Sequence, residues 1–135
     1  MNKHFSEIDL LFSSLEKQIT DINLKYNYLI DHGGCGTFSY ALSDVLTRND
    51  VPHELVYVEG PGSDRCDLKF THILVKVEDT LIDNHGLWEK RKYHPTYSLS
   101  KSKLVEMLDD KQIWNDKFPH EKWTDLTQDV LNISL

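Results

Sequence analysis

The chain has 135 residues, 39% of them hydrophobic and 27% charged, and its 22 acidic against 15 basic side chains leave a net charge of −7. Those values describe one globular domain, residues 1–135, too short for two comfortable cores, and the negative field opposes a generic phosphate-binding role, so no nucleic-acid partner is expected. No apolar run approaches the ~20 residues of a membrane span and the first residues lack the apolar segment of an export signal, so the expectation is a cytoplasmic protein with no membrane partner. In that setting Cys35 and Cys66 are expected as reduced thiols, a disulfide between them being the alternative.

Phe5, Ile8, Phe12, Leu15, Ile19 and Ile22 recur every three or four residues, which predicts an amphipathic helix over about 5–22. A second helix is expected from Cys35 or Gly36 to Arg48 or Asn49, because Phe38, Ala41, Leu42, Val45 and Leu46 share one face. It stops at Asn49-Asp50-Val51-Pro52, where Pro52 biases Val51 away from the α region.

The period then changes. His53–Glu59 is short, rich in β-branched and aromatic residues and bounded by Pro52 and Gly60, as a strand should be. After a loop, "FTHILVKVEDTLIDNHG" reads as two strands turning at Glu78-Asp79 and ending at Gly86. Short helices follow over about 100–109 and after Pro119. Helices followed by strands and then by helices predict an α+β domain with a small antiparallel sheet.

Within this frame the segment His32–Leu42, "HGGCGTFSYAL", sets Cys35 at a helix N-terminus, where unpaired N–H groups and the positive end of the helix dipole favour a thiolate. Gly33, Gly34 and Gly36 let a carbonyl approach the backbone, and the Cys35 N–H is placed to donate to an oxyanion. Taken alone, the segment favours a glycine turn before a buried cysteine over a nucleophile.

A thiolate nucleophile needs a base, and the base needs an orienting group. If Glu78-Asp79 is a two-residue turn, Leu74 lies opposite Asp83 and His72 opposite His85. His72 and Asp83 are then diagonal neighbours on one face, roughly 7–8 Å apart at the backbone and within reach of a side-chain hydrogen bond. Thr71, Ile73, Val75 and Val77 take the other face, toward the core.

"GGCGTFSYALSDVL", the strand "HELVYVEG" and then "THILVKVEDTLIDNHG" together resemble the transglutaminase-like branch of the papain-like cysteine enzymes. The resemblance spans about Gly33–Gly86 and implies a papain-like core, helices packed on a small antiparallel sheet with the nucleophile at a helix start. On it Cys35 answers to the nucleophile, His72 to the base and Asp83 to the residue that orients it. Papain-type peptidases carry an oxyanion-donating glutamine six residues before the cysteine, and here that position is Leu29; Asn27, Tyr28 and His32 remain open as replacements. Related bacterial cell-wall peptidases often place a histidine third, and His85 answers to it.

These residues point to a thiol-dependent hydrolase or acyl transferase acting on an amide bond of a protein or peptide substrate, without a cofactor. Peptidase, deamidase and transglutaminase outcomes share the first half of that chemistry. The loop 59–69 and the aromatic, basic segment 88–97 flank the site in sequence and are candidates for a substrate groove. The competing class is a non-catalytic binding module on the same fold. Zinc is not expected: Cys35, Cys66, His72 and His85 offer suitable atoms, but no C-x-x-C or H-x₃-H pair anchors half a site.

Overall fold

A computed structural model describes residues 3–30, 34–59, 71–89, 95–109 and 120–135. The expected loop 59–69, residues 90–94 of the aromatic, basic segment, and the residues His32, Gly33 and Cys66 lie outside the described residues, apart from Glu59 at a strand end. The elements in order are α1 (Lys3–Leu29), α2 (Cys35–Arg48), β1 (Glu54–Glu59), β2 (Thr71–Val77), β3 (Thr80–Asp83), β4 (Gly86–Glu89), β5 (Tyr97–Leu99), α3 (Lys101–Asp109) and α4 (His120–Leu131). The architecture is α+β, with helices against a five-stranded sheet of order β4-β3-β2-β1-β5 and antiparallel neighbours throughout.

The first helix runs past the expected 5–22 because the apolar stripe does not stop at Ile22: Tyr26 and Ile30, each four residues further on, are buried with it. The second helix begins at Cys35 and ends where expected, with Asn49 capping it through its backbone N–H and Asp50 turning the chain at positive φ. Phe38, Ala41, Leu42, Val45 and Leu46 are all buried, which bears out the face read from their spacing.

The β2–β3 hairpin has the register its two-residue turn demands: Val77 opposes Thr80, Lys76 opposes Leu81 and Val75 opposes Ile82. Glu78 takes positive φ in the turn. The chain does not stop at Gly86, however. A second tight turn at Asn84-His85 leads into β4, with Asp83 opposite Gly86 and Leu81 opposite Trp88. His72 therefore does not face His85 but pairs with Val58 of β1.

Strand alternation divides the sheet into two buried faces. Leu55, Ile73, Val75, Val77, Ile82 and Leu99 join the main core with Leu15, Ile19, Phe38, Leu42, Leu126 and Val130 of the helices. Val56, Val58, Leu74 and Leu81 form a smaller cluster on the other face, with Trp88 packed against it. The expectation that Ile73, Val75 and Val77 point to the core holds; His72, alternating with Ile73 and opposite Val58, belongs to the second face.

Two contacts join α2 to the head of β2. Ser39 Oγ donates to the carbonyl of Ile73 at 3.0 Å, satisfying a buried hydroxyl. Gly36 lies so close that a β-carbon there would meet Leu108 Cδ2 at 3.2 Å and Ile73 Cδ1 and Leu104 Cδ1 at 3.4 Å. The absent side chain lets the helix N-terminus approach both the strand and α3.

Candidate functional site

His72 and Asp83 are brought together as the hairpin register requires. His72 Nε2 and Asp83 Oδ2 are 3.0 Å apart, and the two residues are only 3% and 1% exposed. They bridge β2 and β3 on the smaller-cluster face, beside Val58, Leu74 and Leu81. An exposed His–Asp contact would contribute little, but burial removes competing water and makes the orientation of each group depend on the other.

The second carboxylate oxygen is also engaged. Asp83 Oδ1 accepts the Trp88 indole N–H at 2.8 Å and the backbone N–H of His85 at 2.8 Å. Burial pushes the Asp83 carboxyl up, but its hydrogen bond to His72, the charge of that ring and the Trp88 and His85 donors outweigh burial and hold it below the ordinary carboxylate value. Asp83 is thus an ionised acceptor at neutral pH. Its oxygens have no proton to give, so the bond to His72 uses an Nε2–H, and in the neutral ring the basic lone pair is on Nδ1.

Cys35 is the first residue of α2, is 2% exposed and belongs to the main core, in the same cluster as Ile73. Gly34 holds the cap position of α2 with no side-chain capping hydrogen bond. The head of this helix packs on the residue that follows His72, so Cys35 and the His72–Asp83 pair occupy the same end of β2.

The expected reduced thiol is a correction: Cys35 is disulfide-bonded. Compartment sets only the redox expectation, whereas pairing is decided by whether the fold brings two sulfurs within bonding reach. The chain's other cysteine, Cys66, lies outside the described residues.

The auxiliary candidates fall elsewhere. His85 is exposed in the β3–β4 turn, and what it gives the site is its backbone N–H. Asn27 and Tyr28 are exposed near the end of α1, where the Asn27 side-chain oxygen accepts the Tyr28 N–H. Buried Asn84 was not singled out from the sequence; its Nδ2 donates to Asn23 Oδ1 at 2.7 Å and ties the β3–β4 turn to α1.

Among the described residues no group of three or more His, Cys, Asp or Glu side chains is arranged to hold a metal ion, and no helix is long and apolar enough to cross a membrane. An open groove of about 310 Å³ runs between α1 and α4, lined by Gln18, Lys25, Asp129 and Asn132. It shares no residue with the His72–Asp83 pair. No protein family, curated protein or solved structure matches this chain.

Proposed function

We propose that the protein is a thiol-dependent acyl-transfer enzyme of papain-like, transglutaminase-like type, acting on an amide bond of a protein or peptide through Cys35, His72 and Asp83. The observation that supports it most is the buried His72–Asp83 pair, bonded through Nε2, which puts the basic lone pair of the neutral ring on Nδ1. The pair stands at the end of β2 on which the N-terminus of α2, and with it Cys35, is packed.

A dithiol first reduces the disulfide that holds Cys35, giving two electrons and two protons and becoming a disulfide itself. His72 Nδ1 then takes the Cys35 proton, and the imidazolium is stabilised by ionised Asp83. The thiolate attacks the carbonyl carbon, with the α2 N-terminus favouring the negative oxygen. His72 returns the proton to the leaving amine as the C–N bond breaks, leaving a thioester on Cys35. Water gives hydrolysis or deamidation, and a second amine gives transfer; in each case His72 takes a proton from the incoming group and the thioester C–S bond breaks.

The test is labelling of the reduced protein with a thiol-directed activity probe, located by mass spectrometry. Modification of Cys35 ahead of Cys66, abolished in Cys35→Ala and slowed in His72→Ala, supports the reading. Slow, equal labelling of both cysteines, indifferent to His72, rejects it. One observation favours a second reading, a non-catalytic binding module: the disulfide at a cysteine that is almost wholly buried in the core. Under that reading Cys35 stays inert after reduction.

A further inference from the structure

Asp83 is held from three directions, and two of its donors, the Trp88 indole and the His85 backbone N–H, have no part in the three-residue scheme; of these only Trp88 donates from a side chain. Trp88 stands on β4 opposite Leu81 of β3, and Asp83, two residues along from Leu81, faces the same way. The indole reaches diagonally across the hairpin, so that its Nε1–H meets Asp83 Oδ1. The residue directly opposite Asp83 is Gly86, so no side chain at that position stands between indole and carboxylate. With the His85 N–H also on Oδ1, that oxygen is filled and Oδ2 is presented to His72.

We infer that Trp88 is a positioning residue for the His72–Asp83 pair: by occupying Oδ1 it fixes the rotation of the carboxylate, aims Oδ2 at Nε2, and holds the neutral imidazole as the Nε2–H tautomer. A carboxylate with one backbone donor can pivot about its Cβ–Cγ bond; a second donor on the same oxygen, carried by a ring packed on Leu81 and its neighbours, closes that freedom. The catalytic consequence, a lone pair kept on Nδ1, rests on the acyl-transfer reading. The geometric statement does not.

The test uses the intact chain labelled with ¹⁵N at histidine and tryptophan and with ¹³C at the aspartate carboxyl carbon. In long-range ¹H–¹⁵N spectra of the neutral ring at alkaline pH, wild-type His72 should show one tautomer, protonated at Nε2. In Trp88→Phe, which keeps an aromatic ring but removes the donor, the minor tautomer should rise on the order of tenfold, as expected for loss of one charge-assisted hydrogen bond. A role in packing alone predicts that Trp88→Phe resembles the wild type and only Trp88→Ala departs from it, and that result overturns the inference.

If Trp88→Phe does not fold, the wild type decides. Its Trp88 indole N–H resonance must move together with the Asp83 carboxyl carbon as pH falls, and an indole signal indifferent to that titration overturns the inference. Failure of the functional reading looks different: the tautomer responds to Trp88→Phe as stated, while Cys35 labelling ignores His72→Ala. Trp88 then still positions Asp83, in a pair that serves no thiol.

Discussion

His72 Nε2 lies 3.0 Å from Asp83 Oδ2 inside the protein, a contact made across the β2–β3 hairpin that carries both residues. Taking both groups out of water costs several kcal/mol, which their contact and the Trp88 and His85 donors offset. Removing one partner leaves the other buried without its counterpart. Asp83→Ala should therefore cost about 3 kcal/mol of unfolding free energy. Asp83→Asn keeps an acceptor and should cost less. Urea unfolding of the two variants at neutral pH checks the order, and equal, negligible losses would mean that the pair adds nothing to the fold.

The pH dependence has a definite sign. Burial raises the Asp83 carboxyl, but His72, Trp88 and His85 together bring it below its ordinary value in the folded protein. Stability from a depressed carboxyl is fully present above its unfolded value, about 3.9, and is lost as pH falls through the folded value. The wild type should lose stability below about pH 4 more steeply than Asp83→Asn. Thermal unfolding midpoints from pH 2 to 7 test this, and parallel curves for the two proteins would contradict it.

The His72–Asp83 contact is legible in the sequence because a hairpin with a two-residue turn has only one register, and register decides which residues become neighbours. Helix α2 was legible for a similar reason: five apolar residues at helical spacing have one shared face. Strands β4 and β5, of four and three residues, are too short to display an alternation, so the continuation past Gly86 was missed. With it went the place of His85 in a turn and the donor role of Trp88, whose signal would have been an aspartate and a tryptophan flanking a second two-residue turn. The disulfide at Cys35 was not legible, since sequence separation says nothing about where two sulfurs meet.

Cys35 should resist alkylation in the oxidised protein and become reactive only after reduction, because its sulfur is committed to a disulfide and its residue is buried. In the reduced protein, iodoacetamide should label Cys35 near neutral pH, and His72→Ala should slow that reaction on the order of tenfold by removing the imidazolium partner of the thiolate. Intact-mass measurement before and after dithiothreitol, followed by peptide mapping, reads both steps. A Cys35 that labels fully without reductant would contradict the disulfide.

Gly36 sits where two opposing effects meet. Alanine is favoured over glycine by about 1 kcal/mol within a helix. Its β-carbon, however, would crowd Leu108 at 3.2 Å and Leu104 and Ile73 at 3.4 Å, contacts that the leucine side chains relieve by small movements. Gly36→Ala should therefore fall within about 1 kcal/mol of the wild type, whereas Gly36→Val should cost about 2 kcal/mol or more by pushing α2 away from β2 and α3. Chemical unfolding of both variants measures the contrast, and equal stability would show that the helix head is not closely packed.

Gly86 presents the complementary case, conformational strain without crowding. Its φ is 124°, and a β-carbon there would meet nothing within 4 Å. Gly86→Ala should thus lose about 1–2 kcal/mol through backbone strain alone. Because Gly86 opposes Asp83 and starts the strand that carries Trp88, relief of that strain by a shift of β4 should also move the indole away from Oδ1. Two measurements separate the effects: unfolding free energy reports the strain, and the Trp88 indole N–H resonance reports the contact. Loss of stability with an unmoved indole signal would mean that the turn absorbs the strain and that Trp88 keeps its hold on Asp83 independently of Gly86.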